Sequence, residues 1–240
     1  MNNIEITYRF RLVDDTLESF HIELDAQNLQ MIGDVPEVLP QWANLEFHQC
    51  PNCPLSRDTY PYCPLALNIV NIVRRFDRVI SYDDIYLDVI TKQRNISQQT
   101  TAQRGLSSLM GLVIATSGCP HTAFFKPMAR FHLSLSSREE TAYRVTSMYL
   151  LAQYFLKKEG KQADFSLQGL KRIYENVQHV NRAVAVRLRA ASEADSVLNA
   201  IIILDTYAQT IPYMIEDSLE NIKYLFSPYL TDDSSGARDL

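Results

Sequence analysis

Every cysteine in the chain is followed directly by proline: Cys50-Pro51, Cys53-Pro54, Cys63-Pro64 and Cys119-Pro120. Proline supplies only about one residue in twenty of an average chain, so four such pairs mark the thiol surroundings as specified. Three of them share one stretch, Phe47-His48-Gln49-Cys50-Pro51-Asn52-Cys53 followed by Tyr62-Cys63-Pro64, and the fourth opens the turn Gly118-Cys119-Pro120-His121. Thiolates are soft ligands, and four of them make a complete tetrahedral donor set. In a Cys-x-x-Cys turn, amides two or more residues past each cysteine point at its sulfur. Proline in the next position removes an amide that the turn does not use and fixes φ. Cys50 and Cys53 therefore read as one ligand pair, with Cys63 and Cys119 completing a split site. His48 and His121 stand two residues from a cysteine, as alternative ligands, as donors to a thiolate or as packing at the base of the loop, and the last two are favoured because four cysteines already complete the tetrahedron.

Zinc is the leading expectation for the ion, because closed four-thiolate sites are its usual structural solution. A [4Fe-4S] cluster is the alternative: it takes the same four ligands, although the spacing is not that of a bacterial ferredoxin. A catalytic zinc with three protein ligands and a water, using His121 or His132 as acid or base, is a third reading, and a closed shell of four cysteines argues against it. A dithiol redox pair at Cys50/Cys53 would sit between a strand and a helix rather than in a proline-bound loop. The plainest alternative is four small buried hydrophobes.

A second constellation flanks Cys119. Arg104 lies on the segment leading into that turn, and Lys126, Arg130 and His132 follow it. Brought together, these four could form an anion pocket, whereas ordinary pairing with carboxylates is the simpler expectation. There is no glycine-rich phosphate loop, His-Glu-x-x-His pair or nucleophile elbow.

The rest of the chain must position these groups. Ile4, Ile6, Tyr8, Phe10 and Leu12 alternate with polar residues, as do Phe20, Ile22 and Leu24 after Asp14-Asp15-Thr16, which predicts a hairpin. Ile85, Leu87, Val89 and Thr91 predict a third strand. Pro64, with Cys63 at the cap position, begins a helix to about Phe76, and Thr100 or Thr101 caps another that ends near Ala115, just ahead of Cys119. Ser137-Arg138-Glu139-Glu140 is a capping box for a helix to Lys158, with Gly160 as its stop. Leu170, Ile173, Val177, Val180, Val184 and Leu188 form one stripe of a long helix from Leu167 to Ala191. Ser192 or Asp195 caps the next, which Pro212 is expected to break or kink, leaving a short last helix from Tyr213 to Phe226.

The fold class that follows is α+β: a small N-terminal antiparallel sheet, hairpin plus third strand, with a Cys-rich metal loop, packed on a mainly antiparallel α-helical bundle. We expect residues 1–132 to carry the split site and 133–228 the bundle, as two units or one continuous domain, with 229–240 a disordered tail. A formal charge of -5 and a pI near 5.5 argue against nucleic acid as the main partner. No basic-then-apolar leader and no apolar run long enough for a membrane span is visible, so a cytoplasmic protein is expected. In that reducing compartment spaced cysteines bind metal rather than form disulfides. The expected partners are other proteins, with a homodimer through the long helices as one form.

The run His48-Gln49-Cys50-Pro51-Asn52-Cys53-Pro54-Leu55, the segment Thr101-Ala102-Gln103-Arg104-Gly105-Leu106-Ser107-Ser108-Leu109-Met110-Gly111-Leu112 and the turn Ser117-Gly118-Cys119-Pro120-His121-Thr122 resemble a bacterial family catalogued only as a domain of unknown function. The resemblance covers most of the chain apart from the tail. It implies a bacterial cytoplasmic protein and carries over no activity, cofactor or catalytic residue.

Overall fold

A computed structural model describes residues 3–33, 36–191 and 195–230. Strands β1 (Ile4–Arg11) and β2 (Leu17–Leu24) form the predicted hairpin, with Tyr8 opposite Phe20 and Phe10 opposite Glu18. Asp15 takes φ 63° in the turn, and Asp14 accepts the Thr16 amide, the local bond that makes aspartate a turn residue. Strand β4 (Asp84–Thr91) pairs antiparallel with the other edge of β1.

Two further strands enlarge the sheet beyond the three expected. Strand β3 (Met31–Ile32) pairs with β2 and β5 (Asn95–Thr101) with β4, giving the order β3-β2-β1-β4-β5. β5 escaped the periodicity because, as an edge strand, it turns mostly polar residues outward. Of its seven, only Thr100 is fully buried. Ladder hydrogen bonds to β4, not side-chain hydrophobicity, hold it in place.

The inner sheet face carries Ile6, Tyr8, Phe10, Phe20, Ile22, Leu24, Ile85, Leu87 and Val89, all buried. Helices α1 (Pro64–Arg75) and α2 (Ala102–Thr116) contribute Leu65, Ile69, Val73, Leu106, Leu109 and Val113 to the same core. Gly105 permits the close approach of α2 to the sheet, since a Cβ there would meet Ile85 Cδ1 at 2.9 Å and Phe10 Cε1 at 3.1 Å. Thr101 holds the cap position of α2, yet its side chain makes no cap bond.

The bundle follows. After the short α3 (Lys126–Arg130) comes α4 (Arg138–Lys158), entered through the Ser137/Glu140 capping box, with both reciprocal bonds formed. Then α5 (Gln168–Ala191) packs against α6 (Ser196–Ile222), which also touches α2 and α4. Pro212 does not break the chain here: α6 runs through it, and the separate helix expected from Tyr213 is its continuation. Packing on three helices outweighs the single amide that proline removes. At the start of α6 the Asp195 carboxylate accepts the Ser81 amide instead of capping its own helix, and Ser192 lies outside the described residues. A one-turn α7 (Ser227–Leu230) ends the described chain, so Tyr229 and Leu230 are helical rather than part of a tail, and 231–240 lie outside the described residues. One apolar core joins sheet and bundle, with Val180, Val184 and Ile201 packed in the same cluster as Phe10 and Leu87.

Candidate functional site

The loop from Asn44 to Tyr62 is closed at its base. Asn44 and Tyr62 form an isolated β-bridge, the Leu45 amide donates to the Pro61 carbonyl and the Cys63 amide to the Ala43 carbonyl. Cys50 and Cys53 are joined by a tight turn in which the Cys53 amide donates to the Cys50 carbonyl at 3.0 Å. Cys63 is the residue before α1, with Pro64 in the first turn, as its sequence context requires.

The distant cysteine is brought to the same place by α2. That helix ends at Thr116, and Gly118 takes φ +89°, a conformation that turns the chain sharply and that side chains resist. A Cβ at Gly118 would lie 3.8 Å from Pro64 Cβ, and Asn68 ties the two turns together by donating to the carbonyls of Pro64 and Ser117. His121 donates through Nε2 to the Asn52 carbonyl at 2.7 Å, joining the Cys119 turn to the Cys50/Cys53 turn. It thus acts as a strut between the cysteine turns. His48 is exposed, at φ 46°, its ring edge-on to Phe47.

All four thiols are half-buried and none is in a disulfide. Burial pushes the Cys50 thiol up to about 12, and Cys63, Cys119 and Cys53 push in the same direction, so the thiols lie within electrostatic reach of one another. Burial also raises the Cys119 thiol, with Cys63 pushing the same way and the backbone of His121 and Thr122 opposing it. The Thr122 amide donates to the Cys119 carbonyl at 3.2 Å and closes the turn. As the side chains stand, however, no three His, Cys, Asp or Glu among the described residues are grouped so as to hold a metal ion.

A charged residue absent from the sequence reading stands beside the thiols. Arg187 on α5 is 2% exposed, and its guanidinium donates to the carbonyls of Trp42 at 2.6 Å, Asn44 at 2.7 Å and Leu45 at 2.9 Å. Burial lowers its pKa, and Cys63, Cys50 and Cys53 oppose that shift. Its position was legible in principle: Arg187 is three residues past Val184 and seven past Val180, on the apolar stripe of the helix.

The flanking basic residues separate. Arg104 and His132 line a partly open cavity of about 210 Å³ between α2 and the bundle, together with Arg144, which the sequence reading did not single out. Lys126 instead donates to the Asn28 carbonyl, and Arg130 is exposed over the Phe131 ring. His132 Nε2 meets the Tyr8 hydroxyl at 2.5 Å, and that hydroxyl is 3.0 Å from Ser108 Oγ, which accepts the Leu135 amide. Burial, with Arg144 nearby, holds the imidazole pKa down at about 4, so the ring is neutral at pH 7.

A family model matches residues 6–227, a span that takes in all four cysteines and the cavity. The chain belongs to the family described as Domain of unknown function (DUF6901). No curated protein and no solved structure matches it. In this DUF6901 chain no helix among the described residues is long and apolar enough to cross a membrane.

Proposed function

We propose that the DUF6901 chain is a cytoplasmic metal-binding protein in which Cys50, Cys53, Cys63 and Cys119 hold one zinc ion, structural or regulatory in role. The observation that carries the reading is the meeting of three remote Cys-Pro turns, tied by the bonds of His121 and Asn68, with the Cys50 thiol in electrostatic reach of the other three. Zinc would displace the protons that burial keeps on Cys50 and Cys119, and rotation of the cysteine side chains about Cα–Cβ would close them on the ion. The Arg187 guanidinium beside the site offsets part of the negative charge of four thiolates. With four cysteines as ligands no position is open for substrate, so the reading is one of stability and display to a protein partner. The outward side of α4, where Leu151, Tyr154 and Phe155 are each more than half exposed, is the surface for such a partner or a second copy.

Metal content by mass spectrometry, with an absorption spectrum, on untagged protein purified without oxygen tests this. The expected result is about one zinc per chain and no visible band, with both metal and melting temperature reduced in Cys63→Ser. Several irons with acid-labile sulfide and a brown colour would transfer the same ligands to a [4Fe-4S] cluster and a redox or sensor role. Protein without metal, or Cys63→Ser with unchanged metal and melting, would remove the proposal.

A further inference from the structure

The cavity beneath α2 is separate from the thiols and has its own chemistry. Its walls are mostly apolar, with Leu112, Phe125, Met128 and Leu204 among them. At about 210 Å³ it exceeds the roughly 150 Å³ of engineered cavities that take up a benzene ring. The pocket is open on one side, so an occupant can enter from solvent and cover the apolar wall.

The charged groups in the wall have one sign. Arg104 and Arg144 line the cavity, and among the described lining residues there is no carboxylate. Arg144 is anchored through Nη2 to the carbonyls of Phe131 at 2.8 Å and Met128 at 3.3 Å, which fixes the guanidinium in the wall. Asn181 also lines the cavity at 3% exposure, and its Nδ2 has no hydrogen-bond partner among the described residues. A buried amide donor left unbonded loses its hydration without replacement, so such groups ordinarily have a partner. Here the missing partner is an acceptor. His132 bonds Tyr8 through Nε2 and adds no positive charge at neutral pH. Glu140, one turn before Arg144 on α4, offsets part of the guanidinium charge. The wall therefore balances one negative charge better than two.

We propose that this cavity binds a small monocarboxylate with an apolar body, a medium-chain or aryl acid, its carboxylate paired with Arg144 and an oxygen accepting from Asn181. Charge-assisted pairing with an anchored guanidinium selects the anion. The apolar wall selects the body. The site is independent of the metal reading and stands or falls apart from it.

Three probes of equal chain length separate the contributions: octanoate, octanol and octylamine, measured by ligand-observed NMR and thermal shift on the full chain. Octanoate is expected to bind and to raise the melting temperature, octanol more weakly, and octylamine least. In Arg144→Gln the octanoate Kd should rise at least about tenfold while that of octanol is unchanged. Gly111 lines the cavity, and a Cβ there would meet only Leu204 Cδ2, at 3.7 Å. Gly111→Leu should therefore fill the space, keep the fold and abolish binding of octanoate and octanol alike, which decides the matter should Arg144→Gln not fold. Octanoate binding no better than octylamine, or unchanged in either folded variant, overturns the proposal.

Discussion

Replacing Arg187 by methionine removes the guanidinium that holds the cysteine loop to α5 while keeping a flexible apolar side chain in its place. Three donated bonds, to the carbonyls of Trp42, Asn44 and Leu45, disappear. At about 1.5–3 kcal/mol for each bond from a charged donor, the gross loss is roughly 4.5–9 kcal/mol. Relief from burying the cation at 2% exposure offsets part of it. The three carbonyls left without a donor cost about 1–3 kcal/mol each, which with that relief leaves a net loss of about 3–5 kcal/mol. With a urea dependence of about 3 kcal/mol per molar, the unfolding midpoint should fall by about 1–1.7 M. Trp42 is the single tryptophan, 7% exposed, so its fluorescence reports both the midpoint and any loosening of the native loop as a red shift. If the midpoint moves by less than about 0.3 M and the native emission is unshifted, Arg187 does not anchor the loop and the reasoning fails.

A Cβ at Gly169 would lie 2.0 Å from Tyr149 Oη, which donates to Asp164. Gly169→Ala should accordingly lower stability by about 1–3 kcal/mol and melt earlier than wild type, and an unchanged melting temperature would contradict it. His132 is neutral in the fold with its pKa depressed to about 4, whereas the unfolded ring titrates near 6.5. The unfolded state binds the extra proton, so the contribution is complete above pH 6.5 and declines as the pH falls towards 4, by up to about 3 kcal/mol. Urea titrations at several pH values should show this slope, and His132→Gln should flatten it. Asp164 has its carboxyl pKa lowered by donors from Ser166, Gly169 and Tyr149. Its contribution is present above the ordinary aspartate pKa and lost in acid, so Asp164→Asn should differ from wild type at pH 6 and approach it as the pH drops below 4.

Local signals foretold much of this chain. Alternation in residues 4–24 drew the hairpin, the proline after Cys63 set the start of α1, and Ser137 with Glu140 fixed the first turn of α4. These features depend on neighbours within a few residues, which is the range over which sequence pattern acts. The repeated Cys-Pro pairs likewise marked the thiols as a set. Tertiary structure decided what lies beyond that range. Edge strand β5 is held by the backbone of β4, and α6 passes through Pro212 because three helices support it. Which basic residues share a cavity was also outside local reach: Arg104, His132 and Arg144 meet there while Lys126 and Arg130 turn away, since α2, α4 and the turn after α3 converge only on folding. Arg187 and Asn181 sit on the stripe that the helical period identified. The period says that a side chain points inward, and only the packed loop and cavity around it determine what a polar group finds there.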